Sequence, residues 1–497
     1  MLSQPPTNRK PASATARPSR DLLAMAPVAE LIERVRGELG SDFPAGRPIR
    51  LSRAPGRLDV MGGIADYTGS TVAEATLDRA AALALQERDD RDVRVLSLNL
   101  RDDERPSDFN ISLDAMAELS IDELRAELKQ PGRRWSGYIV GCLAILHERR
   151  LIDLRSSAHK GMTLALLSTV PLGAGVSSSA AIEVATMVNL VQHLRIQIDP
   201  MLLAEMCQSA ENRVVGAPCG IMDQVTSCAG ETGALLRMIC QPHELLPPLH
   251  LPEGVRVIGI NSNVKHSVGG GMYGRTRCAA FMGHRIIVEK MREMGLAEGA
   301  TLVSDPMRGY LANLDPEDYK RFFRPFLPQE MKGSEFISQY GSTIDTATAV
   351  EPSLNYHVLQ ATDHHVLEAR RVRNFIRYLE AAAALPMDSA QRKLELDKAG
   401  HLMYASHLSY TRDALLGAPE CDLLVDLVRR RESAGLYGAK ITGGGSGGTV
   451  AVLADRGSSA DAAVEQIMSE YQKQTGRQPE AFLGDSPGAW AVGTVVV

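Results

Sequence analysis

Residues 171–181 read Pro-Leu-Gly-Ala-Gly-Val-Ser-Ser-Ser-Ala-Ala and separate two segments of different character. The run before them, KGMTLALLSTV, is apolar and predicts a buried strand. The run after them, SSSAAIEVATMVNLVQHL, predicts a helix, so the glycines lie at a strand-to-helix turn. Glycine lets backbone N–H groups converge without interference from Cβ, and unpaired N–H groups in the first turn of a helix attract anions. The segment therefore predicts a cradle for phosphate groups.

The three serines of this segment add hydroxyl donors and a candidate ligand for magnesium. The segment is not a Walker A loop, because that motif requires a lysine after the glycines and none follows here. The alternative is a plain helix N-terminus capped by Ser177. One serine is enough for a cap, so the two flanking glycines favour the phosphate interpretation.

Two more segments are rich in glycine. Residues 53–67, RAPGRLDVMGGIADY, begin with a strand-like run whose proline–glycine pair predicts a turn, and they contain Arg57 and the isolated Asp66. Residues 443–448 contain five glycines in six positions, between two strand-like runs. A hairpin needs only two residues, and flexible linkers are rarely flanked so closely by apolar strands. Close approach of the backbone to a ligand explains the glycines better.

The candidate catalytic acids lie in residues 211–224, ENRVVGAPCGIMDQ. A Pro-Cys-Gly turn is predicted to place Asp223 at the start of the next helix. Asp223 is either a helix cap or a carboxylate that accepts a hydroxyl proton and is held ionised by a nearby arginine. Glu211 is then available as a second carboxylate that binds a metal ion.

The composition excludes several classes of protein. Apolar residues make up 44% of the 497 residues and charged residues 23%, as in an ordinary globular protein of two or three domains. The net charge of −6 gives no electrostatic reason to expect a nucleic acid or an anionic membrane as partner. No apolar run approaches the roughly 20 residues that span a bilayer. The seven irregularly spaced cysteines include no CxxC pair and indicate reduced thiols in a cytoplasmic protein.

Strands and helices interleave without a strict βαβ rhythm, which favours an α+β fold. Residues 1–20 are rich in Pro, Ser and Arg and predict a disordered tail, with a transit peptide as the alternative. The pattern changes near residue 256, so we expect one domain over 21–255 and another over 256–497. Residues 301–350 show no clear period and are expected to be an insertion that covers a site.

His364 and His365 are adjacent and point to different helix faces, so we do not expect a metal pair there.

Together, APGRLDVMGG, PLGAGVSSSAA and KITGGGSGGTVAVL resemble the three signature motifs of the GHMP small-molecule kinases. ENRVVGAPCGIMDQ, NSNVKHSVGGGMYGRTRC and LMYASHLSYTRDALLGAPECDLLV resemble the galactokinase branch of that family, and the likeness runs from about residue 45 to the end. The resemblance implies an N-terminal, ATP-binding domain of the ribosomal-protein-S5-domain-2 type and a C-terminal ferredoxin-like domain, with the active site between them. It also implies transfer of the γ-phosphoryl group of ATP to a sugar hydroxyl with the help of Mg²⁺.

By matching position, the resemblance implies that Asp223 is the catalytic base and that Arg57 lowers its pKa and stabilises the transferring charge. The residues implied to contact the sugar are Asp59, Gly63, Asp66, Gly220, Tyr273 and Gly444. Those implied to contact ATP are Pro171, Gly173, Gly175, Ser177, Ser178, Ser179 and Ala180. Those implied to lie near the metal ion are Ser178 and Glu211.

One departure from the family pattern concerns the substrate. Galactokinases usually carry Gly-Glu-His-Thr-Asp-Tyr where this chain has Gly-Gly-Ile-Ala-Asp-Tyr at residues 62–67. The Glu-His pair is associated with the 6-hydroxyl of the sugar, and burying that hydroxyl without a partner would cost about 1–3 kcal/mol. L-arabinopyranose has the ring stereochemistry of galactose without this CH₂OH group.

The altered motif resembles the kinase portion of plant-type L-arabinokinases, as do NRVVGAPCGIMDQVTSCAGE, SVGGGMYG and KGSEFISQYG. We therefore expect 1-phosphorylation of L-arabinose, with D-galactose as the alternative substrate. A catalytically silent sugar sensor is an alternative of another class, although both the serine motif and the catalytic acid are complete. The expected partners are ATP and a free sugar, and the expected form is a stand-alone bacterial enzyme, monomeric or weakly dimeric.

Overall fold

The structure, a computed structural model, describes residues 20–241, 243–265, 271–295, 305 and 307–497. The predicted disordered tail lies outside these residues apart from its last position, and so do residues 267–270 of the SVGGGMYG segment. The strands are β1 (Arg50–Met61), β2 (Thr71–Glu87), β3 (Asp92–Ser97), β4 (Asp108–Ser112), β5 (Met162–Ser168), β6 (Ala234–Ile239), β7 (Glu244–His250), β8 (Val255–Asn261), β9 (Met331–Lys332), β10 (Asn355–Tyr356), β11 (Leu436–Ile441), β12 (Thr449–Asp455), β13 (Glu480–Phe482) and β14 (Thr494–Val496).

The helices alternate irregularly with the strands. They are α1 (Val28–Glu38), α2 (Leu98–Asp102), α3 (Leu113–Glu118), α4 (Ile121–Leu128), α5 (Gly137–Glu148), α6 (Ser178–His193), α7 (Pro200–Ser209), α8 (Met222–Ala229), α9 (Met272–Glu293), α10 (Pro316–Asp318), α11 (Gly333–Tyr340), α12 (Val358–Ala383), α13 (Ala390–Arg412), α14 (Pro419–Arg429), α15 (Ser458–Thr475) and α16 (Ala489–Val492). In the part of the chain that the structure describes, no helix combines the length and the apolar character needed to cross a membrane. All seven cysteines are free thiols.

The first sheet is built around β1 and β2. Its strand order is β14-β1-β2-β5-β3-β4, with β6 and β7 continuing from β2, and only β3 and β5 are parallel. Side chains alternate along β2, so Ala81 and Leu83 join one hydrophobic cluster and Ala82 and Ala84 join another. The first cluster contains the buried side chains of α5 and α6, and the second contains those of α1. The sheet is therefore covered on both faces.

The proline–glycine turn predicted in the first motif is wrong. Strand β1 continues through Pro55 and Gly56 as far as Met61, and its pairing with β2 shifts between Pro55 and Arg57. Proline is tolerated in a sheet at such irregularities, because one ladder hydrogen bond is already missing there. As a result Arg57 lies on a strand, which fixes its position more firmly than a turn would.

The second sheet has the order β11-β12-β8-β13, and all its strands are antiparallel. Strand β12 lies between β8 and β11, and α15 connects β12 to β13. This is the ferredoxin-like arrangement expected from the resemblance, so the α+β prediction is confirmed. The segment around 301–350 packs on α9 and α12 through Tyr319, Phe323 and Phe336, which share one hydrophobic cluster with those helices.

Candidate active site

A cavity of about 250 Å³ opens where the three glycine-rich segments meet. The predicted site residues that line it are Arg57, Gly63, Asp66, Pro171, Gly173, Gly175, Ser177, Ser178, Ser179, Glu211, Gly220, Asp223, Tyr273 and Gly444. Asp59 and Ala180 do not line it, since both are fully buried beside it. Segments that are distant in the sequence thus converge on one concave site, which is the usual form of a small-molecule site.

Arg57 and Asp223 form a buried ion pair at the centre of the cavity. Arg57 Nε and Nη2 lie 2.9 and 2.8 Å from Asp223 Oδ1, and Nη1 donates to the backbone oxygen of Gly175 over 2.8 Å. Burial is the largest single influence and lowers the pKa of Arg57, but the negative charges of Asp223, Glu74 and Asp59, together with the hydrogen bond to Asp223, outweigh it and raise that pKa above its usual value. Asp223 lies in the first turn of α8, as predicted.

Glu74 of β2 is a second acid beside Arg57 that the sequence did not single out. Its Oε2 lies 3.5 Å from Arg57 Nε, and its side chain is fully buried. Burial, and next the charge of Asp59 opposite it in the β1–β2 ladder, raises the pKa of Glu74 well above its usual range. Arg57 thus has two acidic side chains beside it, with Asp223 at hydrogen-bond distance and Glu74 farther away.

Ser177 takes the N-cap position of α6 but does not cap it. Its backbone is left-handed (φ 60°), and no cap hydrogen bond is made by its side chain. The hydroxyl instead donates to Asp223 Oδ2 over 2.5 Å. A non-glycine residue in this conformation stores strain, which is typical of functional loops. The helix-cap interpretation of Ser177 is therefore wrong, because its hydroxyl bonds to Asp223 in the cavity and not to a backbone N–H of α6.

Glu211 lies on a turn of π-helix, Ala210–Val215, that directly follows α7. Such turns recur at functional sites because they redirect a side chain. Glu211 Oε2 accepts a hydrogen bond from Gln224 Nε2 over 2.8 Å, and the same Nε2 lies 3.2 Å from Oε2 of Glu183. Burial, followed by the charge of Asp223, raises the pKa of Glu211 to about 7.

Glu183 was missed at the level of the sequence. It is a fully buried acid in the apolar run of α6, and burial raises its pKa well above the usual range. A single glutamate among alanines, valines and isoleucine was the signal that could have revealed it.

Asp66 lies in a short 3₁₀ helix, Gly63–Thr68, at another wall of the cavity. Its Oδ1 accepts a hydrogen bond from the Tyr67 N–H over 2.7 Å. Burial, followed by the negative charge of Asp223, raises the pKa of Asp66 to about 7. Gly220 lies against this carboxylate so closely that a Cβ there would stand 1.4 Å from Asp66 Oδ2. Gly220 therefore keeps the space in which the Asp66 carboxylate lies.

Asp59 connects the first and third motifs from behind the cavity. Its Oδ2 lies 2.5 Å from Lys440 Nζ, and both side chains are fully buried. Its Oδ1 accepts from the Gly63 N–H over 2.9 Å, and its own N–H donates to Thr442 Oγ1 over 2.6 Å. Asp59 is thus placed to hold loops that line the cavity.

An aromatic wall closes the side near the 301–350 segment. The rings of Tyr67 and Tyr273 pack edge to face with centroids 6.0 Å apart, and the Arg277 guanidinium lies 4.8 Å from the Tyr67 centroid. Arg277 makes two hydrogen bonds of 2.8 and 2.9 Å to Asp345. Asp345 belongs to the segment expected to cover a site, so that segment contacts this wall through a buried ion pair.

The ring nitrogens of the two adjacent histidines lie within hydrogen-bond distance of other groups of the protein. His365 Nε2 lies 2.9 Å from the Tyr67 hydroxyl, and its Nδ1 lies 2.6 Å from the backbone oxygen of Ala361. His364 Nδ1 lies 2.9 Å from the Ser409 hydroxyl. Across the described ranges, no group of three or more His, Cys, Asp or Glu side chains could hold a metal ion.

Comparisons with known proteins agree with this arrangement. The family model described as "GHMP kinases N terminal domain" matches residues 137–231, and "GHMP kinases C terminal" matches residues 389–474. An L-arabinokinase of Arabidopsis thaliana is 34% identical over 93% of this chain, which spans 48% of that protein. A galactokinase of Chloroflexus aggregans is 31% identical over 86% of this chain and 90% of its own length. The chain thus spans about half of the first relative and nearly all of the second.

The fold is also similar to that of solved structures. A Lactococcus lactis galactokinase complexed with galactose aligns over 94% of this chain and 98% of its own, with a TM-score of 0.70 and 19% identity. A mevalonate kinase aligns over 88% of this chain with a TM-score of 0.51 and 12% identity. At these identities the likeness concerns the fold alone, and together with the family models it confirms the GHMP kinase fold expected from the sequence.

Proposed function

The chain belongs to the GHMP kinase family, and we propose that it is an ATP-dependent sugar 1-kinase that phosphorylates the anomeric hydroxyl of L-arabinose. The observation that carries the choice of sugar is the cavity wall at Gly63 and Ile64, which presents no polar side chain. A hexose with a hydroxyl directed at this wall would lose about 1–3 kcal/mol of hydrogen bonding on burial. A pentopyranose has no such group.

D-galactose is the second candidate substrate. The observation that favours it is the match to a galactokinase over 90% of that enzyme, whereas only 48% of the L-arabinokinase is matched. The ring hydroxyls of both sugars would meet the same groups, Asp66 and the backbone of Gly444. The two substrates therefore differ mainly at the Gly63–Ile64 wall.

The chemistry follows from the groups in the cavity. The hydroxyl oxygen of the sugar would form a bond to the γ-phosphorus of ATP while the bond to the β-phosphate oxygen breaks and ADP leaves. Asp223 would accept the hydroxyl proton or orient that hydroxyl, and Arg57 would hold Asp223 ionised and offset the charge of the transferring group. Positioning and charge neutralisation supply most of the catalysis in such reactions.

Nucleotide and metal would share the serine loop. The glycine-rich backbone and Ser177–Ser179 would hold the phosphates at the N-terminus of α6. Ser178 and Glu211 fit magnesium, because that ion takes oxygen donors, needs only one or two carboxylates and completes its shell with phosphates and water. Bound Mg²⁺ would neutralise charge on the phosphates. The site would lie between an ATP-binding domain of residues 21–255 and a C-terminal domain of residues 256–497.

A coupled ADP-release assay over a panel of free aldopentoses and aldohexoses tests the proposal. We expect the highest kcat/KM with L-arabinose and a lower one with D-galactose, with Asp223→Ala as the inactive control. Turnover of D-galactose without turnover of L-arabinose would contradict the choice of substrate. Binding of sugar without turnover of any sugar would favour a sensor.

Sugar binding should also depend on pH through Asp66. Because its pKa is raised to about 7, Asp66 is mainly protonated below that pH and mainly ionised above it. Only the ionised form accepts hydrogen bonds from sugar hydroxyls at both oxygens, so the KM for L-arabinose should fall about tenfold between roughly pH 6 and pH 8. Initial rates at saturating ATP measure it, and Asp66→Asn should give a high KM at both pH values. A wild-type KM that does not change with pH would contradict this role.

A further inference from the structure

Tyr410 connects two of the glycine-rich segments from outside the cavity. It lies near the end of α13 and is fully buried. Its hydroxyl accepts a hydrogen bond from the Ile64 N–H over 3.1 Å and donates one to the backbone oxygen of Gly443 over 2.9 Å. Ile64 and Gly443 both line the cavity. One buried hydroxyl therefore ties the first motif to the third.

The same hydroxyl fills the space beside Gly63. The Gly63 backbone has a φ of +26°, and a Cβ there would stand 1.7 Å from Tyr410 Oη and 2.7 Å from Asp59 Oδ2. Glycine is consequently required at this position while Tyr410 is in place. No side chain from residue 63 can then reach the sugar, and the wall consists of bare backbone and the apolar Ile64.

Tyr410 is itself held firmly. Its ring packs edge to face with His364 at 5.1 Å between centroids, and Lys440 Nζ lies 5.0 Å from its centroid. Burial raises the pKa of Tyr410 well above its usual value, so the hydroxyl keeps its proton and remains a donor. These contacts and the complete burial of the side chain leave the ring little freedom to move away from Gly63.

We propose that Tyr410 is a positioning residue that sets sugar selectivity, by fixing the Gly63–Ile64 wall as a surface without polar partners. This wall would then favour a pentopyranose over a hexopyranose that carries an exocyclic CH₂OH. The inference rests on the proposed function, since it explains how the same site would choose its sugar. Tyr410 acts through Gly63, Ile64 and Gly443 and does not line the cavity itself.

The test compares selectivity in Tyr410→Phe and Tyr410→Leu with the wild-type chain. Phenylalanine keeps the ring and removes both hydrogen bonds, whereas leucine also opens space beside Gly63. We expect the ratio of kcat/KM for L-arabinose over D-galactose to fall about fivefold or more in Tyr410→Phe, and further in Tyr410→Leu. The KM for ATP should stay within about twofold. Both sugars are measured on one preparation, so loss of folded enzyme cancels in the ratio.

Tyr471→Phe is the matched control. Tyr471 is also fully buried, and its hydroxyl donates to the backbone oxygen of Ser262 over 2.8 Å. This variant loses a comparable hydrogen bond and should leave the ratio unchanged. If the wild type prefers L-arabinose and either Tyr410 variant keeps the wild-type ratio of kcat/KM for the two sugars, the role of Tyr410 is overturned and the proposed substrate stands. A wild type without that preference overturns the proposed substrate instead.

Should the Tyr410 variants not fold, Gly63→Ala supplies the second measurement. Its Cβ would displace the Tyr410 hydroxyl and disturb the same wall, so the ratio should fall in this variant too. A soluble Gly63→Ala protein with the wild-type ratio would contradict the role of Tyr410.

Discussion

Replacing Asp223 by asparagine should lower kcat by a factor of about 10²–10⁴, the range over which a positioned acid or base contributes to catalysis. Asparagine keeps the size of the side chain and removes its ability to accept a proton. The Arg57 guanidinium would remain, with its hydrogen bond to Gly175, but would lose the carboxylate to which it is hydrogen-bonded in the cavity. Steady-state rates of ADP release at saturating ATP and sugar measure the effect, and the KM values should change much less than kcat.

Asp199→Asn is the matched control for this substitution. Asp199 caps α7 through hydrogen bonds to the N–H groups of Met201 and Leu202, and asparagine is an equally good cap. That variant should retain wild-type kcat and the wild-type melting temperature. A kcat for Asp223→Asn within about tenfold of wild type would show that this carboxylate is not needed as a base, and its role would then be limited to orienting the hydroxyl.

The positions of the loops in the cavity could be predicted from the sequence because glycine and serine act through local backbone geometry. Gly173 and Gly175 both have positive φ, the conformation for which glycine is favoured, and they bring the backbone to the N-terminus of α6. The turn predicted at Pro55-Gly56 was wrong for the opposite reason. Pairing with β2 overrode the local preference, and the strand absorbed the proline at an irregularity.

The partners of the site residues could not be predicted, because they depend on long-range register. Glu74 stands opposite Asp59 only through the pairing of β1 with β2, and Lys440 reaches Asp59 across 381 positions of sequence. Nothing near Lys440 in the sequence distinguishes it from a surface lysine. Its complete burial is visible only once the second sheet is packed against β1.

The role of residues 301–350 also needed the tertiary structure. Their irregular pattern predicted an insertion near a site, but the contact that matters is the ion pair of Asp345 with Arg277. Because Arg277 lies over the Tyr67 ring, the charge of Asp345 helps to hold the aromatic wall of the cavity in place. An ion pair between this segment and α9 leaves no periodic signal in the sequence of either one.

Replacing Arg57 by alanine should reduce both stability and turnover. The change leaves the Asp223 carboxylate in a largely buried position without its cation, and breaking a buried ion pair costs about 3–5 kcal/mol. We expect about 3 kcal/mol, the lower end of that range, because the Asp223 side chain keeps 20% of its surface exposed. Turnover should fall by at least about 10³, since an arginine that stabilises a transferring phosphoryl group is worth 10³–10⁵ in such enzymes. Urea unfolding and steady-state kinetics measure the two effects separately.

Arg57→Lys and Arg34→Ala complete this experiment. Lysine keeps the positive charge, so the stability of Arg57→Lys should lie near that of the wild type. A single ammonium cannot reproduce the planar fork that contacts both Asp223 and the Gly175 oxygen, so the turnover of this variant should stay low. Arg34 also pairs with two carboxylates, of Glu38 and Asp102, but on the surface, where such pairs are worth at most about 1 kcal/mol. Arg34→Ala should therefore remain active and nearly as stable as wild type. If Arg57→Ala lost no more stability than Arg34→Ala, the buried ion pair of Arg57 with Asp223 would not stabilise the fold more than a surface pair does. The electrostatic role assigned to Arg57 would then have to be abandoned.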